Sequence, residues 1–275
     1  MNPSFTIQSK NSLPHQCRLF IEISLWGISY VIIGEDGFCI ALICYHYPAN
    51  TELNQAAISI KQSVADNLIL QEKFSKVTIV YAFPTAMLVP QHFINTVNQK
   101  EILELQFGDI SDAFIRSDFN YKENIQTIYA VPKQIDVVLS YLFSADISIH
   151  QYALLPAIGT FQQHHLYCIF GIEQFTAMLF KEGKLQCIQS YNFKAPEDIT
   201  FFMLQLCESF EIPADDIEVQ LNGMIDQKSN LYEELYHYFL KIKFGTLPGN
   251  FTYPEDFNQY PSQYFSHLFE MIACV

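Results

Sequence analysis

The residues CRLFIEIS (17–24), Leu25-Trp26-Gly27, ISYVII (28–33), Gly34-Glu35-Asp36-Gly37 and FCIALICYHYP (38–48) set the reading of the chain. A second stretch repeats the plan: HHLYCIFGI (164–172), FTAMLF (175–180), the turn Lys181-Glu182-Gly183, then KLQCIQSYNF (184–193). Each stretch is three runs rich in β-branched and aromatic residues, separated by residues that favour tight turns. Such punctuation predicts an antiparallel three-strand meander. A repeat of this kind predicts two similar subdomains, divided as 1–154 and 155–275, with a hinge in Leu154-Leu155-Pro156-Ala157-Ile158-Gly159.

Outward from the first meander, residues 50–73 carry Leu53, Ala57, Ile60, Val64 and Leu68 at helical spacing. The apolar run 76–83 reads as a strand covered on both faces, ending before Pro84. A helix is expected over 91–105 with Gly108 closing it, then β-like runs at 113–119 and 127–131. Pro132 suits the first turn of a helix over 132–143, and 147–153 reads as a strand. Beyond the second meander, Pro196 opens a helix whose inner face is Ile199, Phe202, Met203, Leu206 and Phe210. A strand over 217–221 follows. The next helix has Asn230 and Glu233 as a capping pair and runs its apolar face from Leu231 to Ile242. Residues 245–261 read as loop and 263–273 as a final helix. Meander, helix, strand, helix, strand thus occurs twice, which describes mixed sheets with helices on their faces.

Composition narrows the function classes. Half of the residues are hydrophobic, 15% are aromatic and 16% are charged, which describes a globular chain. The formal charge of −14 offers no basic stripe for phosphate backbones, so nucleic acid is not an expected partner. No run approaches the roughly 18 apolar residues needed for a membrane span. The polar opening 1–16 lacks the apolar centre of a secretory signal and reads as a flexible lead-in. A cytoplasmic chain with reduced thiols is the expectation. The seven cysteines are odd in number and lack framework spacing, so Cys17, Cys39, Cys44, Cys168, Cys187 and Cys207 read as buried apolar residues. Asn250-Phe251-Thr252 matches a glycosylation acceptor, which carries no weight without a secretory route.

The order of elements is similar to that of the actin, sugar-kinase and heat-shock ATPase superfamily. More narrowly, the chain resembles an uncharacterised bacterial family with an actin-like ATPase fold. Residues 23–30, 183–193, 197–199, Leu221-Asn222-Gly223-Met224-Ile225-Asp226 and the ending 267–274 carry that likeness. The resemblance implies an α/β fold of two ribonuclease H-like subdomains, each a mixed sheet with a three-strand meander plus parallel strands. It further implies two halves that clasp ATP with magnesium, with Glu22, Ser24, Glu173 and Gly223 at the nucleotide-facing positions.

All three nucleotide motifs depart from the superfamily pattern. Ile21-Glu22-Ile23-Ser24 has neither the Asp nor the Gly of the first hairpin, and Ile169-Phe170-Gly171-Ile172-Glu173-Gln174-Phe175 crowds the second. Glycine serves phosphate loops because the backbone can then approach closely. Of the paired glycines at the adenosine strand, only Gly223 is present.

Glu22 and Glu173 read in two ways: as magnesium or acid–base carboxylates acting together, or as a strand residue paired or solvated on one face and an exposed turn residue. His164 and His165, adjacent on a strand, point to opposite faces and make poor joint metal ligands. Trp26 is either an exposed partner contact or a core residue. The aromatic series Tyr253, Phe257, Tyr260, Tyr264, Phe265 and Phe269 reads as tail packing. There is no phosphate loop ending in Lys-Ser or Lys-Thr, no Gly-x-Ser-x-Gly elbow and no His-Glu-x-x-His, and no residue set is assigned as catalytic. Three functions fit: a non-catalytic actin-like protein that binds an unidentified cytoplasmic protein, an ATP-binding or ATP-hydrolysing protein with an unorthodox site, or a small-molecule sensor.

Overall fold

A computed structural model of the chain describes residues 2–9, 16–96, 98–120 and 123–275. The chain forms two compact units, Met1–Ala153 with Gly249–Gln259, and Leu154–Pro248 with Tyr260–Val275. The lone return of Gly249–Gln259 to the first unit departs from a single division at 154/155. It has a backbone cause: Cys39 N–H donates to the Thr252 carbonyl (2.8 Å) and Thr252 N–H to that of Gly37 (3.1 Å). Phe251 and Phe257 are buried there.

In the first unit, β1 (Phe5–Gln8), β2 (Cys17–Ile23), β3 (Gly27–Gly34) and β4 (Cys39–His46) lead to α1 (Leu53–Asp66) and β5 (Lys76–Tyr81). Next come β6 (Ala86–Pro90), α2 (Gln99–Phe107), β7 (Ala113–Asn120), β8 (Ile125–Pro132), α3 (Lys133–Leu142), β9 (Ile147–His150) and α4 (Gln151–Leu154). The main sheet has the order β1-β4-β3-β2-β5-β9. β2, β3 and β4 form the expected meander, and β5 and β9 join parallel to it.

The second unit repeats this with β10 (His165–Phe170), β11 (Gln174–Lys181), β12 (Lys184–Asn192), α5 (Pro196–Ser209), β13 (Glu218–Gly223), α6 (Asn230–Tyr236), β14 (Lys241–Phe244) and α7 (Gln263–Ile272). Its sheet order is β12-β11-β10-β13-β14, with β13 parallel to β10 and β14 parallel to β13.

Alternation along each strand assigns the faces. In the first sheet, Tyr30 and Tyr81 face α1 and α3. The Tyr30 hydroxyl meets Ser63 at 2.9 Å, and the Tyr81 hydroxyl donates to Asp136 at 2.9 Å. In the second, Leu166, Cys168, Phe170, Val219 and Leu221 form a buried core with Ile199, Met203 and Leu235 of α5 and α6. The opposite face of that sheet is polar under α7, where Ser266 donates to Asn222 at 2.8 Å.

Several elements depart from the sequence reading. Within the lead-in, Phe5–Gln8 is a strand paired antiparallel with β4 and buries Ile7, while residues 10–15 lie outside the described residues. An added strand satisfies the backbone groups of an otherwise open edge. The 50–73 helix stops at Asp66 because Asn67 is extended; a 3-10 turn follows and leaves Leu68 exposed. The expected 91–105 helix is a 3-10 segment, Gln91–Thr96, followed by α2, which ends at Gly108 with φ 82°. β9 is only Ile147–His150. β6, unread in the sequence, pairs with β8, and β7 completes a separate three-stranded sheet. Ser229, not Asn230, caps α6 by accepting from Tyr232 N–H (3.2 Å), and Ile242 lies on β14 rather than on a helix. All seven cysteines are free, and Cys187 is half-buried rather than buried.

Candidate functional site

The two hairpin turns correspond residue by residue. Ile23 pairs with Ile28 at the end of the first hairpin, and Phe170 with Phe175 at the end of the second. Ser24 N–H donates to Gly27 O at 3.0 Å as Gly171 N–H does to Gln174 O at 2.8 Å. Tyr47 N–H reaches Trp26 O at 2.8 Å as Phe193 N–H reaches Glu173 O at 3.0 Å. Ser24 therefore matches Gly171, and Trp26 matches Glu173. Glu22 lies two residues before the first turn and matches Ile169. The two carboxylates singled out in the sequence are thus not counterparts of one another.

Ser24 is tied up locally. Ser24 Oγ accepts from Trp26 N–H at 3.1 Å, so the hydroxyl closes its own turn. A side chain at Gly27 would overlap the Tyr45 carbonyl. Leu25 is exposed at the tip and Trp26 is half-buried, neither a bare contact residue nor core. Its indole N–H is buried and finds no acceptor among the described residues, as does the nearby Tyr47 hydroxyl, whose pKa burial pushes well up.

Glu22 sits on the face of its sheet turned away from α1 and α3, level with Ser29 and, one strand further, Cys44. Cys44 is no nucleophile: burial, opposed by a Ser29 hydrogen bond and aided by Glu22, pushes its thiol up to about 12. Glu173 is half-buried in the second turn.

Gly223 ends β13 at φ 80°, and a Cβ there would overlap the Phe170 carbonyl and lie 2.8 Å from the Phe170 nitrogen. Met224 N–H donates to that carbonyl at 2.7 Å. The preceding Asn222, fully buried, donates to Cys168 O at 3.1 Å and accepts from Ser266. The glycine serves the close backbone approach of β13 to its parallel neighbour β10.

Two polar clusters escaped the sequence reading because their members lie far apart in the chain. In the first unit Asp136 accepts from Tyr81 and from Arg116 Nη2 (2.7 Å). Beside them Asp118 accepts from His150 N–H at 2.6 Å, and burial raises the Asp118 pKa. The His150 ring bonds to Phe83 O at 2.9 Å and accepts from Tyr152 N–H at 3.2 Å; burial pulls its pKa down to about 4. These bonds tie the inserted sheet to α3 and β9. In the second unit, His165 Nδ1 contacts Glu218 at 3.1 Å, Lys243 pairs with Glu218, and Tyr167 donates to Glu270. They line a polar pocket of about 440 Å³. Burial, then Lys243, pulls His165 down to about 4. His164 turns instead toward Asp216, 4.0 Å away. Among the described residues no group of three or more His, Cys, Asp or Glu side chains is placed to hold a metal ion. No described helix is long and apolar enough to cross a membrane.

The fold defines the class. The chain is similar, at 15% identity and TM-score 0.77, to a Bacteroides thetaiotaomicron protein with an actin-like ATPase fold and unknown function, over 94% of this chain and 96% of that one. It is also similar to a structure described as the PilM–PilN type IV pilus biogenesis complex (14%, TM-score 0.64, 95% and 99% covered). A third is the ethanolamine utilization protein EutJ from Carboxydothermus hydrogenoformans (9%, TM-score 0.54, 96% and 92%). The chain has the actin-like ATPase fold. It belongs to the family described as "Protein of unknown function (DUF3822)", which matches residues 7–242. No curated protein matches the sequence.

Proposed function

We propose that this chain is a non-catalytic actin-like protein that acts through contacts with another cytoplasmic protein. One observation carries the reading: at two of the nucleotide-motif positions, the Ser24 hydroxyl and the Gly223 backbone are engaged within their own unit. Ser24 Oγ closes its turn, Gly27 backs onto Tyr45, and Gly223 backs onto Phe170. Phosphoryl transfer rests on positioned donors and metal charge. Turns closed on themselves present neither open glycine backbone nor a free hydroxyl to a phosphate, so ATP with magnesium does not fit these residues. The similarity of the whole chain to a structure described as a two-protein complex is compatible with a contact role. Trp26 is the contact residue of this reading, because its half-exposed ring lies beside the exposed Leu25 at the turn.

The test is phosphate release by the pure protein from ATP with magnesium. No turnover above buffer is expected. Magnesium-dependent turnover abolished by Glu22→Gln or Glu173→Gln would replace this reading with that of an ATPase.

A further inference from the structure

The outer surface of α1 and α3 holds a groove of about 620 Å³. Asn54, Ala57, Ile58 and Lys61 reach it from α1, at the i, i+3, i+4, i+7 spacing of one helix face. From α3 come Lys133, Gln134, Val137, Val138 and Tyr141, again on one face. Three large apolar side chains lie open along it: Ile58 is 57% exposed, Val137 61% and Tyr141 82%. Scattered apolar residues on a surface need no explanation, but a contiguous set lining a concavity does.

Charge decides what fits. The chain carries 29 acidic against 15 basic residues, yet the two charged side chains lining this groove are both lysines. Lys133 donates to Ser111 O at 2.8 Å at the rim. The Gln134 side-chain amide donates to Asp112, and its Oε1 is buried with no donor among the described residues. The groove thus presents an apolar floor and two lysine side chains. Two parallel rows of this kind are the receiving half of helix-in-groove recognition.

We propose that the α1–α3 groove docks an acidic amphipathic helix of a partner protein, with apolar residues at i, i+3/i+4 and i+7 over Ile58, Val137 and Tyr141, and Asp or Glu beside Lys61 and Lys133. The inference rests on the protein-contact reading only in expecting a protein partner; ATP turnover would sink that reading and leave the groove untouched.

The experiment uses the full chain and a displayed library of 16-residue peptides with apolar residues fixed at helical spacing and flanking positions randomised. Selection on wild type is run against counter-selection on Val137→Glu, an exposed position whose variant is checked for wild-type melting. The expected result is enrichment of Asp and Glu at the flanks. The best peptide, fluorescein-labelled, should bind at least ten-fold more weakly to V137E and to Lys61→Glu/Lys133→Glu, and more weakly as salt rises. Enrichment of Lys or Arg, or no enrichment over V137E, would overturn the proposal. So would a concentration-dependent dimer that V137E dissolves, because the occupant would then be a second copy of the chain.

Discussion

The two units share one skeleton and differ in what stands where their central parallel strands end. In the second, β13 finishes at Gly223, pressed against Phe170. In the first, the equivalent position on β5 is Tyr81, because Ile23 pairs with Tyr81 as Phe170 pairs with Gly223. Ala82 N–H donates to Ile23 O at 2.8 Å, as Met224 N–H does to Phe170 O. The same backbone junction is thus built once around a bulky phenol and once around no side chain at all. Tyr81 reaches Asp136 and, through it, Arg116 of the inserted sheet. The first unit uses the position to anchor an insertion; the second, which has none, lets the strands close up.

The comparison is broken most directly at Gly223. Gly223→Val adds a β-branched side chain at φ 80° into the Phe170 backbone. The combined strain and overlap should cost about 4 kcal/mol. Urea unfolding reads this, and wild-type stability would refute the close-approach argument.

Acid sensitivity sharpens the contrast next. β9 carries its row to His150 beside Tyr81, whereas β14 stops at Phe244, two residues short of the equivalent position. The folded chain keeps His150 neutral down to about 4, while the unfolded chain protonates it near 6.5. The unfolded state therefore binds the extra proton, and stability falls as pH drops from about 6.5 to about 4. Over that window wild type should lose about 3 kcal/mol relative to His150→Gln, by denaturant unfolding at each pH. Parallel curves for the two proteins would remove the histidine from the account.

The smallest effect belongs to the turns. Trp26→Ala, at a half-buried site, should lower stability by about 1 to 2 kcal/mol, and Glu173→Ala at the matching position by about 0.5 kcal/mol or less. In pull-downs of native lysate, W26A should lose bound proteins that E173A keeps. Equal recovery by both would take the contact role away from the first turn.

How far the sequence carried this picture follows from segment length and packing. The meanders were legible because long β-branched runs met Gly, Asp and Glu at their turns. β1, β6 and β14 span only four or five residues, too few to separate a period of 2 from one of 3.6. Ile242 fell on the helical spacing counted from Leu231, but it pairs with Val219. The mismatch of Glu22 with Glu173 was countable, since aligning the turns places Glu173 opposite Trp26. That Ser24 closes its own turn is a contact only two residues long, of the kind a serine at a turn makes, and could have been read locally. That Ile58, Val137 and Tyr141 share a groove depends on residues distant in the chain and had no local signal.

The return of Gly249–Gln259 to the first unit has a consequence in time. A ribosome releases the chain from its N-terminus, so the first unit's strands emerge early, yet Phe251 and Phe257 arrive only after about a hundred further residues. At bacterial elongation rates of about 5–20 residues per second, the interval is roughly 5 to 20 seconds. During it the first unit waits with part of its apolar surface uncovered, and the second is made in its presence. Translation thus leaves the earlier unit to be finished by a piece made after most of the later one.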